Sequence, residues 1–201
     1  MQLPDKKRRK MIQTKKLAEI AEIESIYRTR MKEDFAPDEL RPLSAIVQAW
    51  EKGIYDCYVL TDRKAILGYA CFVRKDNSYL LDYLAISSEH RGEGWGTVFL
   101  RQLADCFQGA DCIVEEVEDP DAATDEEMRN LRERRMKFYL RNGYRLTGVR
   151  ARVFGVDYQI LEVPTGRDYE AEEIAGIYTE LYRSILPEPF FQTQFMVFKN
   201  K

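Results

Sequence analysis

The sequence predicts a single α/β domain, and three observations lead to this prediction. A length of 201 residues suits one domain, and a hydrophobic fraction of 45% is enough to bury a substantial core. Segments with helical periodicity alternate with short runs of β-branched and aromatic residues. The sequence contains no internal repeat, low-complexity segment or linker rich in Gly, Ser and Pro. We therefore treat residues 1–201 as one domain, with a basic N-terminal segment at 1–15 that frays easily.

The N-terminal part is predicted to be helical. Apolar residues recur at helical spacing over residues 16–31. A second helix begins either at Pro37 or at Pro42, and Gly53 ends it. No strand is predicted before these helices.

Strands and helices alternate through the remainder of the chain. The predicted strands cover residues 56–61, 65–74, 79–86, 111–118, 144–152 and 153–163. The predicted helices run from Trp95 to Phe107, from a Thr124–Glu127 capping box to Gly143, and over residues 169–186. The Phe-rich tail from Phe190 to Phe198 is interpreted as core or dimer packing, and it could also form a last strand.

The charge and hydropathy of the chain argue against two classes of partner, nucleic acids and membranes. Its formal net charge of −3 gives no general attraction to nucleic acid. The basic run at residues 6–10 is interpreted as a solvated end of the chain rather than a nucleic-acid patch. No stretch approaches the roughly 20 apolar residues that span a bilayer. We therefore expect neither a membrane nor a nucleic acid as a partner.

The cysteines are predicted to be reduced core thiols of a cytoplasmic protein. Cys57, Cys71, Cys106 and Cys112 lie in apolar stretches, where a free Cys behaves as a small hydrophobe. They form no CxxC pair, and His90, the single histidine, is distant from them in the sequence. A metal site is therefore not expected.

A glycine-rich turn follows the predicted strand 79–86. It reads Arg91-Gly92-Glu93-Gly94-Trp95-Gly96 and leads at once into a helix. Glycines let a ligand approach the backbone, and the start of a helix presents N–H groups that favour a phosphate or pyrophosphate. A dinucleotide fingerprint is not met because Phe99 occupies its third glycine position, and a Walker Gly-Lys-Ser/Thr is absent.

Residues 84–96 resemble the R/Q-x-x-G-x-G/A signature of the GNAT acetyltransferases. Residues 138–144, Phe-Tyr-Leu-Arg-Asn-Gly-Tyr, are similar to the F/L-Y-x-x-x-G-F/Y segment of that family. Between them, Glu116 lies near a strand end where many members carry a catalytic Glu. The order and spacing agree over residues 55–163, about half of the chain. The resemblance implies a mixed, largely antiparallel sheet of about seven strands, with helices on both faces.

The resemblance also implies acetyl-CoA as the acyl donor and an amine-bearing acceptor. Backbone N–H groups of Leu84, Ala85 and Ile86 are expected to hold the acetyl carbonyl and the pantetheine arm, as in an oxyanion hole. Arg91 is expected to neutralise phosphate charge. The residues expected to hold the pyrophosphate are Arg91, Gly92, Glu93, Gly94, Trp95, Gly96 and Thr97.

Tyr139 is the general acid that the resemblance implies. A phenol with an unperturbed pKa of about 10 can give a proton to a departing thiolate of comparable basicity. The alternative is a core tyrosine packed beside Phe138. His90 is expected to be exposed and is given no role.

Glu116 is the candidate general base, but other carboxylates compete with it. Glu115, Glu118 and Asp82 are near enough in the pattern to take the same role. Strand alternation puts Glu116 and Glu118 on one face of the sheet and Glu115 on the other. A solvated acidic strand end is the alternative interpretation for all of them.

The sequence thus predicts an N-acetyltransferase that moves an acetyl group from acetyl-CoA to a primary amine of an unidentified acceptor. The protein is expected to be cytoplasmic, and a homodimer is allowed. The alternative is a CoA-binding regulatory or interaction module with little or no catalysis. Three features support that alternative: the unusual N-terminal half, the aromatic tail, and the turn at residues 119–123, which lacks the asparagine common in relatives.

Overall fold

The computed structural model describes residues 12–37, 39–62 and 65–199. The chain forms two compact units. The first unit comprises Met1–Val73 and Asp82–Gln108, and the second comprises Arg74–Leu81 and Gly109–Lys201. The single domain over residues 1–201 stays a prediction, and the basic run at residues 6–10 lies outside the described residues.

The strands form one mixed sheet in the order β1-β2-β3-β4-β5-β7-β6-β8. β4 and β5 pair in parallel, whereas β1–β2, β2–β3, β5–β7, β6–β7 and β6–β8 pair antiparallel. The predicted mixed, largely antiparallel α/β sheet is confirmed, with eight strands instead of about seven. The strands are β1 (Gln13–Lys16), β2 (Tyr55–Thr61), β3 (Ile66–Lys75), β4 (Ser78–Ile86), β5 (Cys112–Glu118), β6 (Arg145–Val153), β7 (Val156–Val163) and β8 (Phe195–Lys199).

Helices connect most of the strands. A π-helical segment, Tyr27–Met31, joins the first two helices, and Gly143 with φ 94° follows the helix that the sequence predicted to end there. The helices are α1 (Ile20–Ile26), α2 (Lys32–Asp34), α3 (Leu43–Glu51), α4 (Trp95–Cys106), α5 (Glu126–Arg141), α6 (Ala171–Ile185) and α7 (Glu188–Gln194).

The first strand, β1, was not predicted, and the helical prediction over residues 16–31 begins too early. β1 pairs with β2 from Gln13↔Thr61 to Lys16↔Tyr58, so its extended backbone is imposed by tertiary pairing. α1 begins at Ile20 because Glu19 and Glu22 form a reciprocal capping box there.

At two other helix starts the sequence offered alternative first residues, and the structure shows which one is used. α3 begins directly after Pro42, which confirms the second of the two predicted starts. α5 is capped by Asp125 and not by Thr124, because an Asp125 carboxylate oxygen accepts the Met128 N–H at 2.8 Å. The predicted Thr124–Glu127 capping box is therefore wrong, since the adjacent aspartate is an equally suitable cap.

The prediction of four reduced cysteines is wrong for two of them. Cys57 on β2 lies directly opposite Cys71 on β3, and the two form a disulfide with their Cα atoms 4.3 Å apart. Cys106 and Cys112 are free thiols. The sequence places the bonded pair in two apolar runs but does not reveal the register that puts them opposite each other.

The Phe-rich tail forms α7 and then β8, so the strand expected there is present from Phe195. Phe195 packs against Tyr178 and Tyr182 of α6 within the second unit. Met196 and Phe198 are exposed on the same face of β8. The tail therefore contributes both to the core and to the surface.

Candidate functional site

The glycine-rich turn joins the end of β4 to the start of α4. After a 3-10 turn at Ser88–His90, the chain passes through Gly92 (φ 80°) and Gly94 (φ 85°). Both angles lie in the left-handed region, where a side chain would be strained, so both positions favour glycine. Gly94 is the N-cap of α4, a helix of 12 residues. The first N–H groups of such a helix have no acceptor inside it, and the helix dipole favours an anion beside them.

Arg91 fixes the beginning of this turn. Its Nε donates to the Ile86 carbonyl at 3.0 Å, and its Nη2 donates to a carboxylate oxygen of Asp34 at 2.6 Å. The other Asp34 oxygen accepts the Tyr69 hydroxyl at 3.0 Å. Burial, and then the nearby Asp34 charge, raise the pKa of Tyr69. The role of Arg91 toward phosphate stays a prediction, and in the structure Asp34 already counters its charge.

The side chains of Trp95 and Thr97 are buried in the first unit. Trp95 is only 1% exposed, and its indole Nε1 donates to Glu93 at 2.8 Å. Thr97 is also buried. Trp95 and Thr97 therefore offer a ligand their main chain rather than their side chains. His90 is half-buried, with Nδ1 3.8 Å from a Glu93 oxygen, so the expectation of an exposed His90 is wrong because Glu93 and the turn shield it.

Gly68 on β3 allows a close approach to the end of β4, and the sequence analysis missed it. A Cβ at Gly68 would lie 2.7 Å from the Ala85 carbonyl oxygen and 2.6 Å from Ile86 Cδ1. Real Cβ atoms do not come so close, so only glycine fits here. The Ser87 N–H donates to the Leu67 carbonyl at 2.9 Å. The last residues of β4 are therefore held firmly against β3, and a lone glycine inside an apolar strand was the signal for this.

β4 and β5 pair over only part of their length. The register runs from Ser78↔Cys112 to Leu81↔Glu115, although β4 continues to Ile86. Leu84, Ala85 and Ile86, the predicted backbone donors, lie beyond the last of these pairs. Leu84 and Ile86 are half-buried. Their role toward the acetyl carbonyl stays a prediction.

Asp82 is engaged by its neighbours in the first unit. Arg41 Nε donates to it at 2.9 Å, and the Tyr55 hydroxyl donates to it at 2.8 Å. Burial, followed by the Asp82 charge, holds the pKa of Tyr55 well above its usual range. An aspartate whose two carboxylate oxygens are occupied in this way is a poor competitor for the role of general base, because taking a proton would break its ion pair with Arg41.

The adjacent carboxylates of β5 face opposite sides of the sheet in the second unit. The hydroxyl of Tyr139 on α5 is hydrogen-bonded to Glu115, which is 5% exposed. The hydroxyls of Tyr178 and Tyr182 on α6 both donate to the same oxygen of Glu116. Helices therefore cover both faces of this unit, and each face holds one carboxylate with its own phenols.

Tyr139 is buried, with 5% of its surface exposed. Burial first, and then the charge of Glu115, raise the pKa of Tyr139 well above the usual value for a phenol. The unperturbed pKa assumed from the sequence therefore does not apply. Tyr139 stays protonated through the neutral range, and it is a weaker acid than a solvated tyrosine.

Glu118 and the turn after β5 are held by arginines of α5. Glu118 forms ion pairs with Arg132 at 3.1 Å and with Arg135. Arg132 also donates to the Asp119 main-chain carbonyl at 3.0 Å, and Gln159 donates to the Asp119 carboxylate at 2.9 Å. The turn that departs from the family pattern is therefore fixed by its own contacts, and Glu118 is occupied as an anchor.

The structure gathers the predicted residues in two places. Residues 84–86 and 91–97 lie together in the first unit, and Glu116 and Tyr139 lie in the second. Tyr178 and Tyr182, which hold Glu116, were missed by the sequence analysis. They are spaced by four on a predicted helix, which indicates a shared face, but nothing in the sequence links them to a strand more than 60 residues earlier.

Comparison with known families identifies a domain within the chain. Residues 53–146 match the model of the acetyltransferase (GNAT) domain family. No curated protein sequence matches the chain. The matched segment contains the glycine-rich turn and both residues proposed for catalysis, Glu116 and Tyr139.

Solved structures share this fold. A GNAT-family protein from Bacteroides thetaiotaomicron is 20% identical with a TM-score of 0.65, covering 85% of this chain and 96% of its own. The ribosomal-protein-S18-alanine N-acetyltransferase from Escherichia coli is 16% identical with a TM-score of 0.58, covering 80% and 97%. An acetyltransferase from Elizabethkingia anophelis with acetyl-CoA bound is 13% identical with a TM-score of 0.52, covering 76% and 97%.

The described residues contain neither a candidate membrane-spanning helix nor a candidate metal site. None of their helices is long and apolar enough to cross a bilayer. Within the same residues, no three His, Cys, Asp or Glu side chains are grouped so that they could hold a metal ion.

Proposed function

Because residues 53–146 match the model of the acetyltransferase (GNAT) domain family, we propose that the chain is a GNAT-family acyltransferase that transfers an acetyl group from acetyl-CoA to a primary amine. The observation that carries the proposal is the start of α4. There a left-handed Gly94 caps a helix of 12 residues directly after a strand. Such a start suits the pyrophosphate of a CoA molecule, since it offers backbone N–H groups and a favourable dipole.

The residues around the turn are compatible with acetyl-CoA. Gly92 has open space where a Cβ would stand, so a ligand can reach its main chain. The main-chain groups of residues 91–97 would hold the pyrophosphate. The N–H groups of Leu84, Ala85 and Ile86 would polarise the acetyl carbonyl. Acetyl-CoA supplies the reactive thioester.

Glu116 and Tyr139 would handle the protons. An amine attacks only when it is uncharged, so Glu116 would take a proton from the substrate ammonium, directly or through water. The new C–N bond forms as the C–S bond breaks, and Tyr139 would give its proton to the departing thiolate. The raised pKa of Tyr139 keeps its hydroxyl protonated at neutral pH, so a proton is present before the C–S bond breaks, and solvent must restore it after each turnover.

The acceptor class stays open among small polyamines, aminoglycosides, amino acids and protein amines. The Escherichia coli structure is that of an N-acetyltransferase for an alanine of a ribosomal protein, so a peptide with an N-terminal alanine is a suitable acceptor to test. We also propose a cytoplasmic location, with no membrane or nucleic acid as partner and with a homodimer allowed. The net charge of −3 gives the protein no general attraction to nucleic acid.

A CoA-binding module with little catalysis is a second candidate, and one observation favours it. Tyr139 is buried and bound to Glu115, which is the environment of a core tyrosine. In such a protein the turn at residues 91–96 would still bind CoA, but no proton would reach the thiolate.

Thiol release from acetyl-CoA distinguishes the two candidates. The purified protein is incubated with acetyl-CoA and a panel of primary amines, with a quaternary ammonium compound as a control that cannot be acetylated. We expect thiol release that depends on at least one primary amine, with an equal amount of acetylated amine by mass spectrometry. Tight binding of acetyl-CoA without release for any amine would favour the module.

A further inference from the structure

Two tyrosines of α6 converge on one oxygen of Glu116. Tyr178 and Tyr182 are four residues apart, so they lie on the same face of the helix. The Tyr182 hydroxyl donates to Glu116 Oε1 at 2.7 Å, and the Tyr178 hydroxyl donates to the same oxygen. Both rings are buried, with 0% and 2% of their surfaces exposed.

Neighbouring aromatic rings hold these hydroxyls in place. Phe195 of β8 stacks on Tyr182 with ring centroids 4.6 Å apart, and it also contacts Tyr178 at 5.4 Å. The Tyr178 and Tyr182 rings meet edge to face at 5.1 Å. Rings packed on several sides cannot easily turn, so their hydroxyls stay aimed at Glu116.

Strand β7 pairs with β5 beside Glu116. Its cross-strand partner on β7 is Ile160, which is apolar and buried. Farther along β5, Glu118 is already paired with Arg132 and Arg135 of α5. α6 contributes the hydroxyls of Tyr178 and Tyr182 to this cluster, and β8 contributes the apolar Phe195.

We propose that Tyr178 and Tyr182 are positioning residues that keep Glu116 ionised and fixed in orientation for its work as the general base. The inference rests on the proposed function, because it assigns a purpose to the same carboxylate. Two phenol donors stabilise the charged form of a half-buried carboxylate, which burial alone would disfavour. Neither tyrosine touches the substrate in this proposal.

The pH dependence of Tyr182→Phe tests the proposal, because this change removes a hydroxyl and leaves the ring. A carboxylate that loses a donor is protonated more easily, so its pKa rises. The acid limb of the kcat/KM profile should therefore move to higher pH, by about one unit for a hydrogen bond to a charged group. Tyr178→Phe should move the limb in the same direction, and it serves as a second variant if the first is poorly folded.

Tyr169→Phe is the matched control. The Tyr169 hydroxyl donates to the Asp111 main-chain carbonyl at 2.8 Å and not to Glu116. The control should leave the acid limb where it is in the native protein. An equal shift in the control, or no shift in either variant of α6, would overturn the positioning role.

A measurement without turnover separates this inference from the proposed function. The carboxyl carbon of Glu116, assigned by its loss in Glu116→Gln, is titrated by ¹³C NMR in the native protein and in Tyr182→Phe. A higher midpoint in the variant supports the control of ionisation by Tyr182, even if no amine is acetylated and the proposed function fails. An unchanged midpoint would overturn the inference, even in an active enzyme.

Discussion

Tyr139 and Glu116 occupy opposite faces of β5, although the proposed reaction uses both. Alternation along the strand predicted that Glu115 and Glu116 point to different faces, and the structure agrees. Which phenols meet each carboxylate could not be predicted, because Tyr178 and Tyr182 lie 62 and 66 residues after Glu116. At the scale of residues, the sequence therefore indicates the chemistry, but the partners of each group depend on the tertiary fold.

The change Tyr139→Phe tests the general acid. It keeps the buried ring and removes only the proton donor, so we expect kcat to fall by about 10²-fold with the KM for acetyl-CoA little changed. The measurement is steady-state thiol release with the best amine of the panel.

Tyr144→Phe provides the matched control for this prediction. Tyr144 is also buried beside Glu115, and its ring packs against that of Tyr139 at 5.1 Å. Turnover should persist in Tyr144→Phe. Equal turnover of Tyr139→Phe and the native protein would assign Tyr139 to the core and remove it from the mechanism.

At the scale of elements, local signals predicted most helices and strands. Glycine and proline have strong backbone preferences, so they were reliable signals. They predicted the turn after β4, the helix end at the left-handed Gly143 and the start of α3 at Pro42. β1 was missed because its residues carry no strand pattern of their own, and only pairing with β2 makes them extended. The register of β2 and β3 could not be predicted from the sequence either. This register places Cys57 opposite Cys71, where the two form a disulfide.

The disulfide between β2 and β3 leads to a prediction about thiols. Thiol titration in denaturant should find two reactive thiols before reduction and four after it, because Cys106 and Cys112 are free. The bond joins residues 14 apart, and a loop of this size stabilises a fold by roughly 3 kcal/mol. Reduction should then lower Tm by roughly 6–12 °C for a chain of this length.

The double variant Cys57→Ala/Cys71→Ala is the control, since its Tm should not respond to a reductant. Four reactive thiols in the protein before any reduction would contradict the disulfide. They would also restore the original prediction of reduced core cysteines, which is what a reducing compartment favours.

At the scale of the whole molecule, the sequence predicted a GNAT acetyltransferase domain, whose family model matches residues 53–146, and the type of sheet. Residues 91–96 and 138–144 carried that prediction, since they lie where the chain has little freedom, at a tight turn and at a helix end. The number of strands was underestimated by one because β1 has no sequence signal. The acceptor remained beyond prediction, since its binding depends on side chains brought together from distant parts of the chain.

The central claim is that acetyl-CoA binds at the glycine-rich turn, and the thermal shift of the native protein with acetyl-CoA tests it most directly. Gly94→Val disturbs the turn, and Gly109→Val is the matched control, because Gly109 also has a left-handed backbone (φ 87°) but lies after α4. Both substitutions should cost stability through the same backbone strain, about 1–2 kcal/mol.

Acetyl-CoA at 100-fold over its Kd should stabilise the fold by about 2.7 kcal/mol. We therefore expect Tm to rise by roughly 5–10 °C in the native protein and in Gly109→Val, and to stay unchanged in Gly94→Val. No rise in the native protein at saturating acetyl-CoA, or an equal rise in Gly94→Val, would contradict the account.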